Sequence, residues 1–435
     1  MSAFLIGLSL YVPLSLLFMA LVAERHERSF LIGRISIAWV GISSMVSLVN
    51  IWLPFTGGGD DEDYYFLANL PVNSISDLFD IKRFADSMEQ PGYPFILSLI
   101  NFFSDADLLS YKLFGVFVFI LISLTWYRIG VLLESIRFGR KVFLGVLFLT
   151  PLWFYTFFLL KDLLVVFLQS LFLLGLLQNW QRPCAKSMLL IGLATLAILP
   201  FRAPLILQNA VVFGGAIVLD LARNRGQSSR IGRFVFSGLL IFVLVLIASN
   251  PYFMQEMGVS SEHRVLGATD MVGSVAATGD ESKFNPVLFP VIYVFSEITA
   301  FNLKAWWALD SAWLRGILAL PWILFFVPFF IFGSIRIFEV VDPRSSSSRF
   351  VGKFRSTRFV STPWGVLMLF VFSMAVVSFQ VGDTARWRIS DMPVIATVAM
   401  AGWFFSNRSR RRVVLFYWFG VMSIFFVLNN LYKFA

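Results

Sequence analysis

The chain has 435 residues, of which 58% are hydrophobic and only 14% charged, with 50 Phe and 13 Trp. Soluble domains run near 45–50% apolar and about 25% charged, so an ordinary soluble enzyme is excluded. The net charge of +9 argues for topology signals rather than nucleic-acid binding, because the basic residues are scattered over short connections between apolar stretches.

Apolar stretches of about 17–24 residues recur from end to end, each long enough to cross a bilayer. They predict an all-α polytopic transmembrane helical bundle of about twelve spans. These centre roughly on residues 13, 45, 122, 151, 171, 194, 212, 242, 326, 371, 400 and 421. A β-barrel would show short alternating segments instead. The first stretch has no basic leader and no small-residue cleavage site, so it is expected as a retained helix. Cys184, the single cysteine, allows neither an internal disulfide nor a cysteine-built metal site. His26 and His263, the two histidines, are too few for a His-rich zinc or haem centre.

Alternate connections then separate by charge. One set carries Arg25, Arg28 and Arg34, then Arg137, Arg140 and Lys141, then Arg182 and Lys186, then Arg223 to Arg233. It ends with Arg336 to Arg358 and with Arg408 to Arg412, and together these hold most of the 35 basic residues. The positive-inside rule assigns this set to the cytoplasm and the acidic connections to the periplasm or cell exterior. Residues 1–435 read as one membrane-embedded domain. Its outer loops, roughly 56–110, 250–314 and 382–393, are the expected working face.

The first outer loop opens with Gly57, Gly58 and Gly59, a turn out of the membrane, and then four carboxylates in a row: Asp60, Asp61, Glu62 and Asp63. Like charges packed this closely are kept only in water, and commonly for a purpose: a base, a metal or a cation partner. A carboxylate here can deprotonate a hydroxyl, or Asp61 and Asp63 can share a divalent metal such as Mg or Mn. The bland alternative is a solvated loop start that enforces topology. Tyr64 and Tyr65 follow and suit a sugar or lipid site. Ser74 to Asp77 looks like a helix start. The spacing of Ile75, Leu78, Phe79, Ile81 and Phe84 predicts a juxtamembrane helix on the outer face. Pro91, Gly92 and Pro94 end it, and PGYPFILSLINFF is too short to span, so it reads as re-entrant or interfacial.

Lys161 and Asp162 interrupt a long apolar stretch at an outward turn, and Arg202 marks another. Lys161 can hold a phosphate and Asp162 can orient it or bind an acceptor; a polar hairpin turn is the plain alternative. His263 and Arg264 lie in the second outer loop as weaker candidates. Its aromatic later half, with Glu297 and Lys304, reads as interfacial. Arg386 and Arg388 flank Trp387 in the third loop. Arginines on an acidic face suggest phosphate or pyrophosphate recognition, against the alternative of pairing with the outer acids. No P-loop, glycine-rich nucleotide fingerprint or GxSxG occurs.

Four motifs in order, DDEDYYFLA, QPGYPFILSLINFF, LLKDLLVV and RWRISDMPVIATVAMAG, resemble the GT-C class of membrane glycosyltransferases. That class includes bacterial relatives of the protein O-mannosyltransferases and polymerases of surface polysaccharides. The resemblance implies Asp61, with Glu62, as base or metal ligand. It implies a saccharide carried on polyprenyl phosphate or pyrophosphate, with Lys161, Arg202, Arg386 and Arg388 at the phosphate. It also implies a glycan or lipid acceptor and work at the outer face of the cytoplasmic membrane. Single sugar transfer and joining of lipid-linked repeat units both remain open, and a flippase or transporter of a lipid-linked saccharide is the rival from another class.

Overall fold

The computed structural model describes residues 3–56, 60–70, 92–104, 106–202, 204–223, 311–341, 363–381 and 388–434; among them every regular element is helical. In chain order these are α1 (Ala3–Val22), α2 (Arg28–Trp52), α3 (Asp60–Ala68), α4 (Gly92–Ser104) and α5 (Leu108–Leu133). Next come α6 (Ile136–Leu147), α7 (Thr150–Phe157), α8 (Asp162–Gln181), α9 (Ala185–Ala197) and the single turn α10 (Leu199–Arg202). After α11 (Pro204–Arg223) follow α12 (Ser311–Pro321) and α13 (Val327–Val341), joined by a π-helical turn at Trp322–Phe326. The last are α14 (Pro363–Val381), α15 (Met392–Phe404) and α16 (Arg408–Phe434).

Among the described residues, four helices are long and apolar enough to cross a membrane: Arg25–Trp52, Leu108–Leu133, Asp162–Gln181 and Leu314–Ile335. Others, such as Leu8–Val22, Ala185–Ala197 and Ile389–Phe404, are apolar but shorter. The stretch expected near 151 is split. Pro151 lies in the first turn of α7, where its missing N–H costs nothing, and α6 stops at Leu147. The stretch near 326 is continuous but takes its π turn directly after Pro321, a residue that disturbs the regular ladder. The stretch near 242 and the helix expected after Ser74 lie outside the described residues.

α5 and α8 form the centre. Of their most apolar windows 78% is buried, against 28% for α2. The outer face of α2 exposes Ile37, Val40, Leu48 and Ile51, the pattern of a helix whose solvent is lipid. Glycines let backbones meet: a Cβ on Gly130 would lie 2.9 Å from Gly139 Cα, and one on Gly402 would lie 2.8 Å from Gly333 Cα. Close packing through small residues replaces the hydrophobic drive that lipid removes.

Polar contacts define two ends of the bundle. At one end Arg140, starting α6, forks Glu27, just before α2: Nε donates to Oε2 at 2.7 Å and Nη2 to Oε1 at 2.8 Å. Gln181, ending α8, donates to the Leu132 carbonyl, and Phe138 packs on Trp364, Phe404 and Phe405. Connections whose basic residues sort together by sequence therefore share one end. The opposite end gathers the exit from α2, α3, α4 and the starts of α5 and α8.

Candidate functional site

At that opposite end the acidic row becomes the first turn of α3. Successive helical residues turn by about 100°, so four neighbours cannot face one way. Only Asp61 is buried; Asp60 is half-buried, and Glu62 and Asp63 are exposed. Asp61 is anchored by the chain leaving α2. Thr56 N–H donates to Oδ2 at 2.7 Å, and Thr56 Oγ1 donates to Oδ1 at 2.7 Å. Asp61 and Asp63 lie on different faces of α3. Among the described residues no group of three or more His, Cys, Asp or Glu comes together.

Lys112, in the opening turns of α5, is 1% exposed. Its Nζ donates to the Pro54 carbonyl at 2.6 Å and sits 5.6 Å from the centre of the Phe158 ring. It is near enough to Asp61 for the two charges to interact, but they form no direct ion pair.

Tyrosines tie α3 to its neighbours. Tyr64 meets Tyr93 edge-on at 5.0 Å, and Tyr65 meets Tyr111 at 6.0 Å and Phe55 at 5.9 Å. Tyr111 Oη donates to Asn69 at 3.4 Å. Tyr93 sits at the start of α4, where Gly92 lets the backbone approach α10: a Cβ there would meet Pro200 Cβ at 2.8 Å. Tyr93 is also within electrostatic range of Asp162.

Asp162 opens α8 and is buried. It accepts a hydrogen bond from Arg202 Nη2 at 2.6 Å, and Arg202 is buried too. Asp162, expected to orient a phosphate or bind an acceptor, and Arg202, expected at a phosphate, are thus ion-pair partners, as the pairing alternative for Arg202 anticipates. Lys161 stands at the N-terminus of α8, half-buried. No family model, curated protein or solved structure matches the chain.

Arg388 begins a short 3-10 turn, Arg388–Asp391, packed on α8 and α14; only its backbone is described. Arg386, His263 and Arg264 lie outside the described residues, as do Glu297 and Lys304. Sequence reasoning passed over Lys112 and Tyr93 at this end, and took Asp391, which is fully buried, only as an acid near Arg386 and Arg388. Each left a signal. Lys112 is the lone charge in SYKLFGVFVF, Tyr93 is the polar ring inside PGYP, and Asp391 directly precedes Met392 and Pro393 at a helix start.

Burying a charge costs several kcal/mol unless it is compensated. Asp61, Lys112, Asp162 and Arg202 are four such buried charges gathered at one end of the bundle. A carboxylate, an ammonium, an ion pair and several phenols together can move a proton, bind hydroxyls and balance a developing anion.

Proposed function

We propose that this chain is a GT-C-type membrane glycosyltransferase. It has about twelve spans and works at the outer face of the cytoplasmic membrane. It moves a saccharide from polyprenyl phosphate or pyrophosphate to a glycan or lipid hydroxyl. The observation that carries the reading is Asp61: of the four row carboxylates it alone is fully buried, held by Thr56 and within electrostatic range of the buried Lys112.

In this reading Asp61 takes the acceptor's hydroxyl proton as its oxygen attacks the anomeric carbon. The bond from that carbon to the carrier's phosphate oxygen breaks, and the carrier leaves with the electron pair. Lys161, Arg386 and Arg388 meet the charge that grows on the leaving phosphate, and Arg202 contributes while held by Asp162. The division of faces on α3 separates Asp61 from Asp63, the pair proposed to share a metal.

The test is incubation of the purified full chain in lipid nanodiscs with polyprenyl-linked saccharides, with and without a divalent metal. Mass spectrometry then follows carrier and glycan. Asp61→Asn is expected to abolish transfer while the protein still inserts; full transfer by that variant removes Asp61 from the mechanism.

A second reading, a flippase of lipid-linked saccharide, draws on polarity deeper in the bundle. Gln169 Nε2 donates to Gln208 Oε1 at 3.0 Å, Gln208 Nε2 donates to Ser373 Oγ at 3.3 Å, and the π turn interrupts a long apolar helix. Lipid scrambling by proteoliposomes without any chemical change in the saccharide would favour it.

A further inference from the structure

We propose that Asp61 and Lys112 together form a binding site for one hydroxyl group of a saccharide, with Lys112 as the residue that orients it. The inference rests on the glycosyltransferase reading for its purpose but not for its test.

Both groups keep unspent bonding capacity. An ammonium has three N–H donors, and Lys112 uses one, on Pro54. A carboxylate has about four acceptor positions, and Asp61 receives two bonds, both from Thr56. Both side chains are almost wholly removed from solvent. Two opposite charges in that situation normally close on each other, because direct contact recovers much of the desolvation cost. Here each is held back by its own anchor, Lys112 by a carbonyl before Thr56 and Asp61 by Thr56 itself. The arrangement keeps a donor and an acceptor facing a common ligand.

The chemistry of that ligand follows. A bare phosphate oxygen would satisfy Lys112 but be repelled by Asp61. A second cation would do the reverse. A hydroxyl satisfies both at once, accepting from the ammonium and donating to the carboxylate. Phenol rings stand on the same two helices: Tyr64 one turn after Asp61 on α3, and Tyr111 beside Lys112 on α5, where it meets Tyr65 of α3 at 6.0 Å. Flat faces with polar tips suit the C–H and O–H pattern of a sugar ring. Both charged residues lie in the opening turns of their helices, so the ligand comes from the end of the bundle and not from lipid. A hydroxyl held there would have its proton on Asp61's side, the direction in which a base must take it.

The test uses the full chain in a detergent without sugar headgroups and reads its thermal midpoint against a panel of methyl hexosides. At least one glycoside is expected to raise the midpoint of the wild-type protein. Lys112→Met and Asp61→Asn are expected to weaken that response about tenfold or more in concentration, the loss of a charge-assisted hydrogen bond. Lys112→Arg should recover part of it. Arg182→Gln, exposed at the opposite end, serves as the control and should respond like wild type. Absence of any glycoside response in the wild type, or a full response in both site variants, overturns the proposal. If the glycoside response behaves as expected but no polyprenyl-linked saccharide is consumed, the hydroxyl site stands and the transferase reading falls. If both work, Lys112→Met should raise the KM for acceptor and leave that for donor near wild type; the reverse split would make Lys112 a donor-phosphate residue and defeat its assignment here.

Discussion

Arg202 donates to Asp162 at 2.6 Å across forty residues of chain, and neither side chain keeps more than 7% of its surface exposed. Removing one partner leaves the other charge buried alone, at a cost of about 3–5 kcal/mol. Asp162→Asn or Arg202→Met should therefore lower the thermal midpoint of the purified protein strongly. Replacing both by apolar residues should recover most of that stability, because two buried charges vanish together. Under the proposed function the double variant is stable and inactive. Stability and transfer restored together would reduce the pair to a scaffold.

The all-helical character and the charge alternation were legible because apolar length and basic connections are properties of single segments. Arg140 and Glu27 illustrate this: their connections sort together by sequence and meet in space. What sequence could not resolve was which member of a cluster turns inward. Asp60, Asp61, Glu62 and Asp63 are chemically near-equivalent as letters; the motif resemblance implies Asp61 with Glu62, and it is the start of α3 and the position of Thr56 that bury Asp61 while Glu62 stays exposed. Lys112 was hidden for a related reason. Its helix gives it a periodicity of apolar neighbours, and its partner Pro54 is a backbone carbonyl that no pattern of side chains marks. Likewise the break at Leu147–Thr150 depends on one proline inside a stretch whose hydropathy is continuous.

Sidedness has a built-in reporter. Cys184 is exposed between α8 and α9, at the end shared with Arg137 and Arg140, and hydrogen bonding with Ser187 holds its thiol below the usual cysteine range. A thiol so placed reacts readily with maleimide. The membrane-impermeant reagent should label Cys184 in inverted vesicles and leave it untouched in intact cells. A Glu62→Cys variant made in a Cys184→Ser background should show the opposite pattern. Labelling of Cys184 from outside would put the row of carboxylates in the cytosol and remove the lipid-linked donor from reach.

The contact of Gly333 with Gly402 makes a packing prediction. A Cβ on Gly402 would lie 2.5 Å from the Phe329 carbonyl oxygen and 2.8 Å from the backbone nitrogen of Gly333. Backbone cannot yield as a flexible side chain can, so α13 and α15 must separate. Gly402→Ala should destabilise by about 1–3 kcal/mol, and Gly402→Leu by more. Gly420→Ala, where a Cβ meets nothing within 4 Å, should change little. Equal midpoints for Gly402→Ala and Gly420→Ala would show that this crossing does not hold the helices together.

Thr56 supplies the last prediction, because it separates Asp61 as a base from Asp61 as a turn-former. Its hydroxyl and its backbone N–H each hold one carboxylate oxygen at 2.7 Å. Thr56→Val keeps the shape and the backbone bond and deletes the hydroxyl bond. A hydrogen bond to a charged acceptor is worth about 1.5–3 kcal/mol, so a measurable fall in stability is expected. Thr56→Ser keeps the donor and should lose much less. If Asp61 is the base, Thr56→Val frees one oxygen to rotate away from the attack line, and transfer should fall about tenfold or more while donor binding holds. If Asp61 merely closes the turn after α2, transfer in Thr56→Val should follow stability and return on cooling. Activity across temperature for the two variants, plotted against their folded fractions, distinguishes the cases; coincident curves would count against a catalytic Asp61.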